Sequence, residues 1–387
     1  MKKINIGLFI DTFYPMIDGV ILVVDNYAKR LSKYANVFVF APRIPHKRYD
    51  DSVFNYKVIR CRSMDVSFVD YSLPLPDFDI KFKKELEKCD LDIVHIHSPA
   101  TLGRIGVNYA IRHNIPVVAT MHSQYKQDFM RATKSKYISN KLTNSIIKLF
   151  EKCDECWTMN NEIARIFQED YGYKKQLKII NNATDMEFSK EKEKTDKELN
   201  KLYGIKKDEF VLLFVGRINK LKNIDLIINS LRKVKSKYKM LFVGSGQDED
   251  YLKNKINKYN LSDRVIMCGR VKDREELAAY YARADLFLFP SFYDSNSLVQ
   301  LEAASQKTPT LFVKGSATAA KVINDVNGFI ANNNPDSYAN KIDEILSNGG
   351  FLKEVGENAY NDLYVRWDDE VQKIYESYLR IIESRDK

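Results

Sequence analysis

The chain has 387 residues, of which 44% are hydrophobic and 29% are charged, and this ordinary globular composition argues against a disordered protein. The length exceeds what one hydrophobic core usually serves and suggests two or three domains, of which we predict two. The formal net charge of +9 is compatible with nucleic acid binding, an anionic membrane or a lysine-rich composition, and by itself it selects none of them.

The first predicted element is a buried strand near the amino terminus. Residues 1–15 begin like a secretory signal, but Asp11 interrupts the apolar run and no small-residue cleavage site follows. No stretch of the sequence approaches the roughly 18 apolar residues that a membrane-spanning helix requires. We therefore expect a cytoplasmic protein, either free or on a membrane surface.

Apolar runs that resemble buried strands alternate with helical patterns along the first half of the chain. These runs are KINIGLFI, NVFVFAP, YKVIRC, DIVHIH, PVVATMH and ECWTMN. The same rhythm restarts in the second half with FVLLFVG, YKMLFVG, RVIMCG, DLFLFP and PTLFV. Such alternation is typical of parallel sheets covered on both faces, so the predicted class is α/β with two Rossmann-like domains. The predicted boundaries are 1–185 for the first domain, 186–209 for a polar linker and 210–363 for the second domain.

Cysteine and histidine do not predict a metal site. The five cysteines are an odd number scattered along a long chain, which argues against a disulfide framework. Cys153 and Cys156 have the spacing of half a zinc site, but no second cysteine pair or histidine pair lies near them. His95 and His97 share one strand face, yet a third ligand of suitable spacing is missing. We therefore expect no bound metal, and separately we expect no cofactor.

The loop GRINKLKN, between a predicted strand and a predicted helix, carries two cations. Gly216 allows a tight turn, Arg217 follows it directly and Lys222 comes five positions later. Cations oppose the dipole at a helix N-terminus, so two of them suggest a bound anion, and an arginine with a lysine suits two adjacent phosphates. Two solvated charges at a helix start are the alternative interpretation of this loop alone.

The stretch YDSNSLVQLEAASQKTP contains two carboxylates, Asp294 and Glu302, eight positions apart. Ser297, Leu298 and Val299 form the first turn of the following helix, where N–H groups without intrahelical partners can cradle a phosphate. Glu302 lies about one turn further in, where it can accept two ribose hydroxyls, and Asp294 precedes the helix, within reach of a sugar. A glycosidase would use such a pair as acid and nucleophile, but the phosphate cradle argues for transfer from a nucleotide sugar.

In order, these segments resemble glycosyltransferase family 4 of the retaining class, and the similarity covers nearly the whole chain. The second-domain segments are GRINKLKN, GRVKDREELAAYYARADLFLFPS and YDSNSLVQLEAASQKTP. The first-domain segments are DTFYPMIDGV, DIVHIHSP and VVATMHS. The resemblance implies the GT-B fold, in which two Rossmann-like domains face each other across a cleft. It also implies a C-terminal helix, within 364–387, that crosses back onto the first domain.

The resemblance assigns roles to individual residues. It implies that Arg217 and Lys222 hold the donor pyrophosphate, that the backbone near Val271 meets the base and that Glu302 holds the ribose. The other implied contacts are a phosphate cradle at Ser297, Leu298 and Val299, sugar contacts at Asp294 and His122, and a central position for Gly19. In this family the leaving phosphate and the acceptor hydroxyl are thought to share one face of the sugar. Retention then needs no protein nucleophile, a nucleotide sugar is the co-substrate, and the cations remove the need for a divalent metal.

Two positions depart from the family pattern. Asp294 stands where the family usually has Glu, and Asn296 with Ser297 stands where it has Phe-Gly or a similar pair. Asp is one methylene shorter than Glu, so its contact to the sugar is longer, mediated by water or matched to a different sugar. The departures motivate one alternative, a GT-B protein that binds a nucleotide sugar without transferring it. A nucleotide-sugar epimerase on the same fold is a second alternative.

Residues 129–152, in the acceptor-side domain, combine six basic residues with one acidic residue, a net charge of +5. The basic residues are Arg131, Lys134, Lys136, Lys141, Lys148 and Lys152. The interleaved apolar residues are Phe129, Met130, Tyr137, Ile138, Ile146, Ile147, Leu149 and Phe150. This pattern is typical of a helix that lies on an anionic membrane, and a solvated amphipathic helix is the alternative. Nucleic acid would suit the charge too, but the resemblance gives it no role.

From this segment we predict a peripheral enzyme on the inner face of the cell membrane. Its predicted acceptor is a membrane lipid or a lipid-linked saccharide, in glycolipid or surface-polysaccharide synthesis. A soluble acceptor is the alternative.

Overall fold

A computed structural model describes residues 3–46, 49–65, 72–189, 191–295 and 297–385. The chain divides into two compact units, the first formed by Met1–Asn182 with Trp367–Lys387 and the second by Ala183–Arg366. Each unit contains a parallel sheet with helices, so the predicted α/β class with two Rossmann-like domains is confirmed. Within the described ranges, no helix is long and apolar enough to cross a membrane.

The first unit is built on a seven-stranded parallel sheet. The strands of this unit, seven in the sheet and two in a separate hairpin, are β1 (Asn5–Phe9), β2 (Asn36–Pro42), β3 (Lys57–Cys61), β4 (Ser63–Asp65), β5 (Ser72–Pro74), β6 (Ile93–Ile96), β7 (Val117–Thr120), β8 (Glu155–Thr158) and β9 (Leu177–Ile179). Its helices before the second unit are α1 (Gly19–Leu31), α2 (Ile80–Glu87), α3 (Thr101–His113), α4 (Tyr125–Thr133), α5 (Lys136–Phe150) and α6 (Asn161–Arg165). The sheet order is β3-β2-β1-β6-β7-β8-β9, and β4 pairs with β5 as a separate antiparallel hairpin. Because the order reverses between β1 and β6, the loops after these strands are neighbours.

The second unit is built on a six-stranded parallel sheet. Its strands are β10 (Phe210–Val215), β11 (Tyr238–Val243), β12 (Val265–Gly269), β13 (Leu286–Leu288), β14 (Thr310–Val313) and β15 (Phe329–Ala331). Its helices are α7 (Lys192–Tyr203), α8 (Ile224–Leu231), α9 (Glu249–Lys258), α10 (Arg274–Arg283), α11 (Leu298–Ser305), α12 (Pro335–Leu346) and α13 (Gly349–Leu363). The sheet order is β12-β11-β10-β13-β14-β15, and it reverses between β10 and β13.

The central strands are continuously apolar because helices cover both faces of each sheet. In β10, Leu212 and Phe214 belong to one core cluster and Leu213 belongs to another, since successive side chains of a strand point to opposite faces. This burial is what the run FVLLFVG predicted. The sequence did not predict β9 and β15, which are three residues long.

The segment 186–209, for which we predicted a linker, lies inside the second unit. Residues Lys192–Tyr203 form α7, and Leu199 of this helix is buried in a core cluster with Ala279 and Tyr280 of α10. The sequence did not predict this packing. Leu199 is the one buried residue of α7, and most of the other residues of the helix are polar or charged.

The last helix, α14 (Trp367–Arg385), follows the second unit in sequence but belongs to the first unit. Trp367 packs edge-on against Tyr27 of α1, with ring centroids 5.7 Å apart. The hydroxyl of Tyr378 is hydrogen-bonded to Nδ1 of His95 at 2.5 Å. The C-terminal helix is thus an integral part of the first unit's core.

Candidate functional site

The loops after β10 and β13 lie side by side, because these strands are neighbours where the strand order reverses. The first loop carries Arg217 and Lys222, and the second carries Asp294. The side-chain amide of Asn223 donates to the carbonyl of Pro290 at 3.1 Å and ties the two loops together. The fold therefore brings together residues from two distant parts of the sequence.

Lys222 and Asp294 form an ion pair that the sequence did not predict. Nζ of Lys222 donates to both carboxylate oxygens of Asp294, at 2.5 and 2.7 Å. The two side chains are only 17% and 15% exposed, so water screens their interaction incompletely. Arg217, from the same loop, is exposed, and Gly216 before it has a φ of 151°, which favours glycine.

Helix α11 begins just after the loop that contains Asp294. Ser297 is its N-cap residue, but the Ser297 side chain makes no capping hydrogen bond, and the first turn contains no acidic residue. Ser297, Leu298 and Val299 are half-buried. N–H groups at such a helix start carry a partial positive charge, which suits an anion. Asn296, one of the departures from the family pattern, lies outside the described residues.

Glu302 occupies a buried position on α11. Its Oε1 accepts a hydrogen bond from Nη1 of Arg274 at 2.7 Å, and its Oε2 accepts one from the hydroxyl of Tyr281 at 3.0 Å. The sequence predicts that this carboxylate accepts two ribose hydroxyls, and in the structure each of its oxygens already accepts a hydrogen bond from a side chain on α10. A carboxylate has about four lone-pair positions, so each oxygen can accept one further hydrogen bond.

Arg274 and Tyr281 are functional candidates that the sequence interpretation missed. They lie seven positions apart on α10, about two turns, and therefore face the same way. Burial alone would lower the pKa of Arg274, but the carboxylates of Glu302 and Asp185 raise it, so the guanidinium stays charged. In the sequence, the two-turn spacing of Arg274 and Tyr281 is the pattern that could have identified them as candidates. Val271, just before α10, is partly buried against the core of the unit.

Three histidines lie together in the first unit. Nδ1 of His97 and Nε2 of His122 are 3.0 Å apart, and Nε2 of His95 is 2.7 Å from the hydroxyl of Thr120. Burial lowers the pKa of His122 to about 3 and lowers the pKa of His95 and His97 well below their usual value. All three imidazoles are therefore neutral near pH 7, and His122 is only 7% exposed.

Gly19 is the first residue of α1 and is exposed. The carboxylate of Asp18 caps this helix by accepting a hydrogen bond from the backbone N–H of Ile21 at 2.9 Å. A Cβ atom at Gly19 would meet no other atom within 4 Å. Packing of the described residues therefore does not require glycine here, and the open space is compatible with the close approach of a ligand.

Within the described ranges, no group of three or more His, Cys, Asp or Glu side chains is arranged so that it could hold a metal ion. Cys153 and Cys156 are buried, and their thiols donate to the carbonyls of Leu149 and Phe150 at 3.7 and 3.4 Å. This pair therefore packs as ordinary buried thiols.

The predicted membrane surface divides into an exposed part and a buried part. The exposed apolar residues include Met130, Tyr137 and Ile138, with Tyr137 77% exposed. The predicted basic residues at the surface are also exposed, namely Arg131, Lys134, Lys136 and Lys141. Four predicted anchors are instead buried: Ile146, Ile147, Leu149 and Phe150. That part of the prediction is wrong, because the C-terminal half of α5 packs against its own unit.

Two family models match the chain. Residues 17–188 match the model described as Glycosyltransferase Family 4, and residues 195–362 match the model described as Glycosyl transferases group 1. The two matches together span most of both units.

Two relatives named alpha-monoglucosyldiacylglycerol synthase are similar in sequence to this chain. The protein from Acholeplasma laidlawii is 27% identical over 372 residues, which cover 92% of this chain and 91% of the relative. The protein from Streptococcus pneumoniae is 28% identical over 316 residues, which cover 79% of this chain and 70% of the relative.

Solved structures share the fold of the chain. Sucrose-phosphate synthase from Thermosynechococcus elongatus superposes with a TM-score of 0.84 at 20% identity, covering 99% of this chain and 100% of the other. HepE from Anabaena, solved in complex with UDP and glucose, superposes with a TM-score of 0.76 at 17% identity, covering 97% and 99%.

Proposed function

The chain belongs to family 4 of the glycosyltransferases and has the GT-B fold, and on this premise we propose that it transfers a hexosyl group from a nucleotide sugar with retention of configuration. The observation that supports donor binding is the pair of adjacent loops after β10 and β13. They present Arg217, Lys222 and Asp294, and the second loop leads into the N-terminus of α11. Two cations and a helix start suit a departing diphosphate.

In this proposal the protein contributes placement and charge. Arg217, Lys222 and the backbone N–H groups of 297–299 stabilise the negative charge that grows on the diphosphate as the sugar leaves. Glu302, held by Arg274 and Tyr281, accepts ribose hydroxyls with its remaining lone pairs. The bond between the sugar carbon and the diphosphate oxygen breaks, the acceptor oxygen bonds to the same face of that carbon, and the hydroxyl proton passes to the departing diphosphate. Retention therefore needs no protein nucleophile.

The remaining predicted residues keep the roles that family membership implies. The backbone near Val271 meets the base of the donor, and Asp294 accepts a hydrogen bond from the transferred sugar. His122 and Gly19 act in the acceptor-side unit. His122 enters as a neutral imidazole, because burial lowers its pKa to about 3.

UDP-glucose is the first donor to test, because HepE was solved with UDP and glucose and the two similar synthases are named for a glucosyl product. UDP-galactose and GDP-mannose complete a panel, with binding measured as a shift in melting temperature. Binding with turnover supports a transferase, and binding without turnover supports a nucleotide-sugar-binding protein. If the protein binds none of the panel, the donor proposal is overturned.

For the acceptor we propose a membrane lipid or lipid-linked saccharide, reached from the inner face of the cell membrane. The names of the two similar synthases support a lipid. The exposed side chains of Met130, Tyr137 and Ile138, interleaved with cations, support contact with an anionic surface. Each basic residue near such a surface contributes about 1 kcal/mol, so a few of them give reversible binding.

Liposome sedimentation tests this surface. We expect the unmodified protein to sediment increasingly with increasing anionic lipid at low salt, and a triple variant with Lys134, Lys136 and Lys141 changed to Glu to remain in solution. A matched control changes Lys201, Lys206 and Lys207, all exposed in the second unit, to Glu. If the unmodified protein stays in the supernatant, or the two triple variants behave alike, a soluble acceptor becomes the better proposal.

A further inference from the structure

In the Lys222–Asp294 ion pair, the Asp294 carboxylate occupies the ammonium group that we propose binds the donor diphosphate. Under the proposed function, Lys222 binds the diphosphate and Asp294 binds the transferred sugar. In the structure, however, the ammonium group of Lys222 already donates to both oxygens of Asp294. A diphosphate that takes Lys222 must therefore separate it, at least partly, from Asp294.

The loops on both sides hold this pair in place. The amide of Lys222 donates to Oδ1 of Asn219 at 3.2 Å, and the amide of Asp294 donates to Oγ of Ser291 at 3.4 Å. Both loops leave adjacent strands, whose register pairs Leu212 with Leu286 and Leu213 with Phe287. The pair therefore joins two loops that the fold makes neighbours, and both of its side chains are mostly buried.

We propose that Asp294 makes the donor site select a nucleotide that carries both a diphosphate and a sugar over a free nucleoside diphosphate; this inference rests on the proposed function. A free nucleoside diphosphate that takes Lys222 leaves the Asp294 carboxylate, only 15% exposed, without its cation and beside added negative charge. A nucleotide sugar supplies hydroxyl groups that donate to the same carboxylate and compensate for the lost ammonium.

The same competition acts in the opposite direction after transfer. Once the sugar has left the nucleotide, its hydroxyls no longer hold Asp294, and the carboxylate competes with the product diphosphate for Lys222. Because Asp294 weakens binding of the free diphosphate more than binding of the complete donor, it also favours release of the diphosphate product after transfer.

The test compares the dissociation constants of UDP and UDP-glucose by calorimetry, with GDP and GDP-mannose in parallel. In Asp294→Asn and Asp294→Ser, we expect the free diphosphate to bind about tenfold more tightly, within the usual range of such coupling. The sugar nucleotide should change much less, so the preference for the donor falls. The control is Asp208→Asn, which makes the same change in charge. Asp208 lies just before β10 and forms an exposed ion pair with Lys237.

The outcomes separate this inference from the proposed function. If both Asp294 variants keep the affinity ratio of the unmodified protein, the inference is wrong while the donor site stands. A shift of the ratio in Asp208→Asn as large as in the Asp294 variants also overturns it, since net charge would then explain the effect. If the unmodified protein binds none of the four probes, the proposed function fails first and the inference fails with it.

Discussion

The two sheets share a topology but differ in the chemistry at their carboxyl edges. In each sheet the strand order reverses between two central neighbours, β1 and β6 in the first unit and β10 and β13 in the second. Near this edge the first unit contains three buried, neutral histidines. The second unit contains the ion pairs Lys222–Asp294 and Arg274–Glu302.

This comparison separates what the topology does from what the loop residues do. The reversal of strand order determines where a ligand can bind, and the side chains at that point determine which ligand binds. Charged groups on these loops suit a diphosphate, whereas neutral imidazoles suit uncharged hydroxyl-bearing groups. Three experiments test whether the units differ in this way.

Removal of a cation from the second unit should have the largest effect. We expect Arg217→Ala and Lys222→Ala each to lower kcat/KM for sugar transfer by about 100-fold, because losing one donor that stabilises the leaving group costs about 3 kcal/mol. The measurement is the transfer rate with UDP-glucose, with circular dichroism to check folding. The matched control is Lys220→Ala from the same loop, whose ammonium lies 4.3 Å from the ring centroid of Tyr251. Near-normal transfer by both variants would refute the donor assignment.

Acid should weaken the first unit through its histidines, since all five histidines of the chain precede residue 183. The pKa of His122 is about 3 in the folded protein and 6.5 ordinarily, so between these values the unfolded chain binds the extra proton. Stability therefore falls as the pH falls below 6.5, by about 2 kcal/mol at pH 5 from His122 alone.

Tryptophan fluorescence can follow this effect selectively, because Trp157 and Trp367 both lie in the first unit. The experiment is urea unfolding at pH 7.5 and pH 5. His122→Gln should reduce the difference in stability between the two pH values. Equal unfolding midpoints for the unmodified protein at both pH values would contradict the expectation.

Chelation of metal ions should have the smallest effect, namely none. If the fixed cations of the second unit stabilise the diphosphate, transfer should continue at an unchanged rate in excess EDTA. Activity is measured with EDTA alone and after addition of magnesium or manganese. Complete loss with EDTA and recovery with either metal would show that the protein's own charges are insufficient.

Local patterns explain which elements the sequence could predict. The long apolar runs, such as FVLLFVG, correspond to strands that are buried on both faces, because successive positions of such a strand are then occupied by apolar residues. The strands β9 and β15 are not buried at every residue, since one of three residues is buried in β9 and two of three in β15, whereas all three residues of β13, which the sequence predicted, are buried. Residues 186–209 read as a linker because a helix with one buried residue has almost no apolar pattern.

The sequence by itself determined the α/β class, the family and the residue types at the ends of the strands, because each depends on short local patterns. Only the tertiary structure decided which side chains meet. Lys222 and Asp294 are 72 positions apart and pair because β10 lies beside β13, an adjacency that no local pattern encodes. The partners of Glu302 on α10, and the burial of the second half of α5, likewise depend on how helices pack on the sheets. Charge and burial are properties of neighbours in space, and the fold chooses those neighbours.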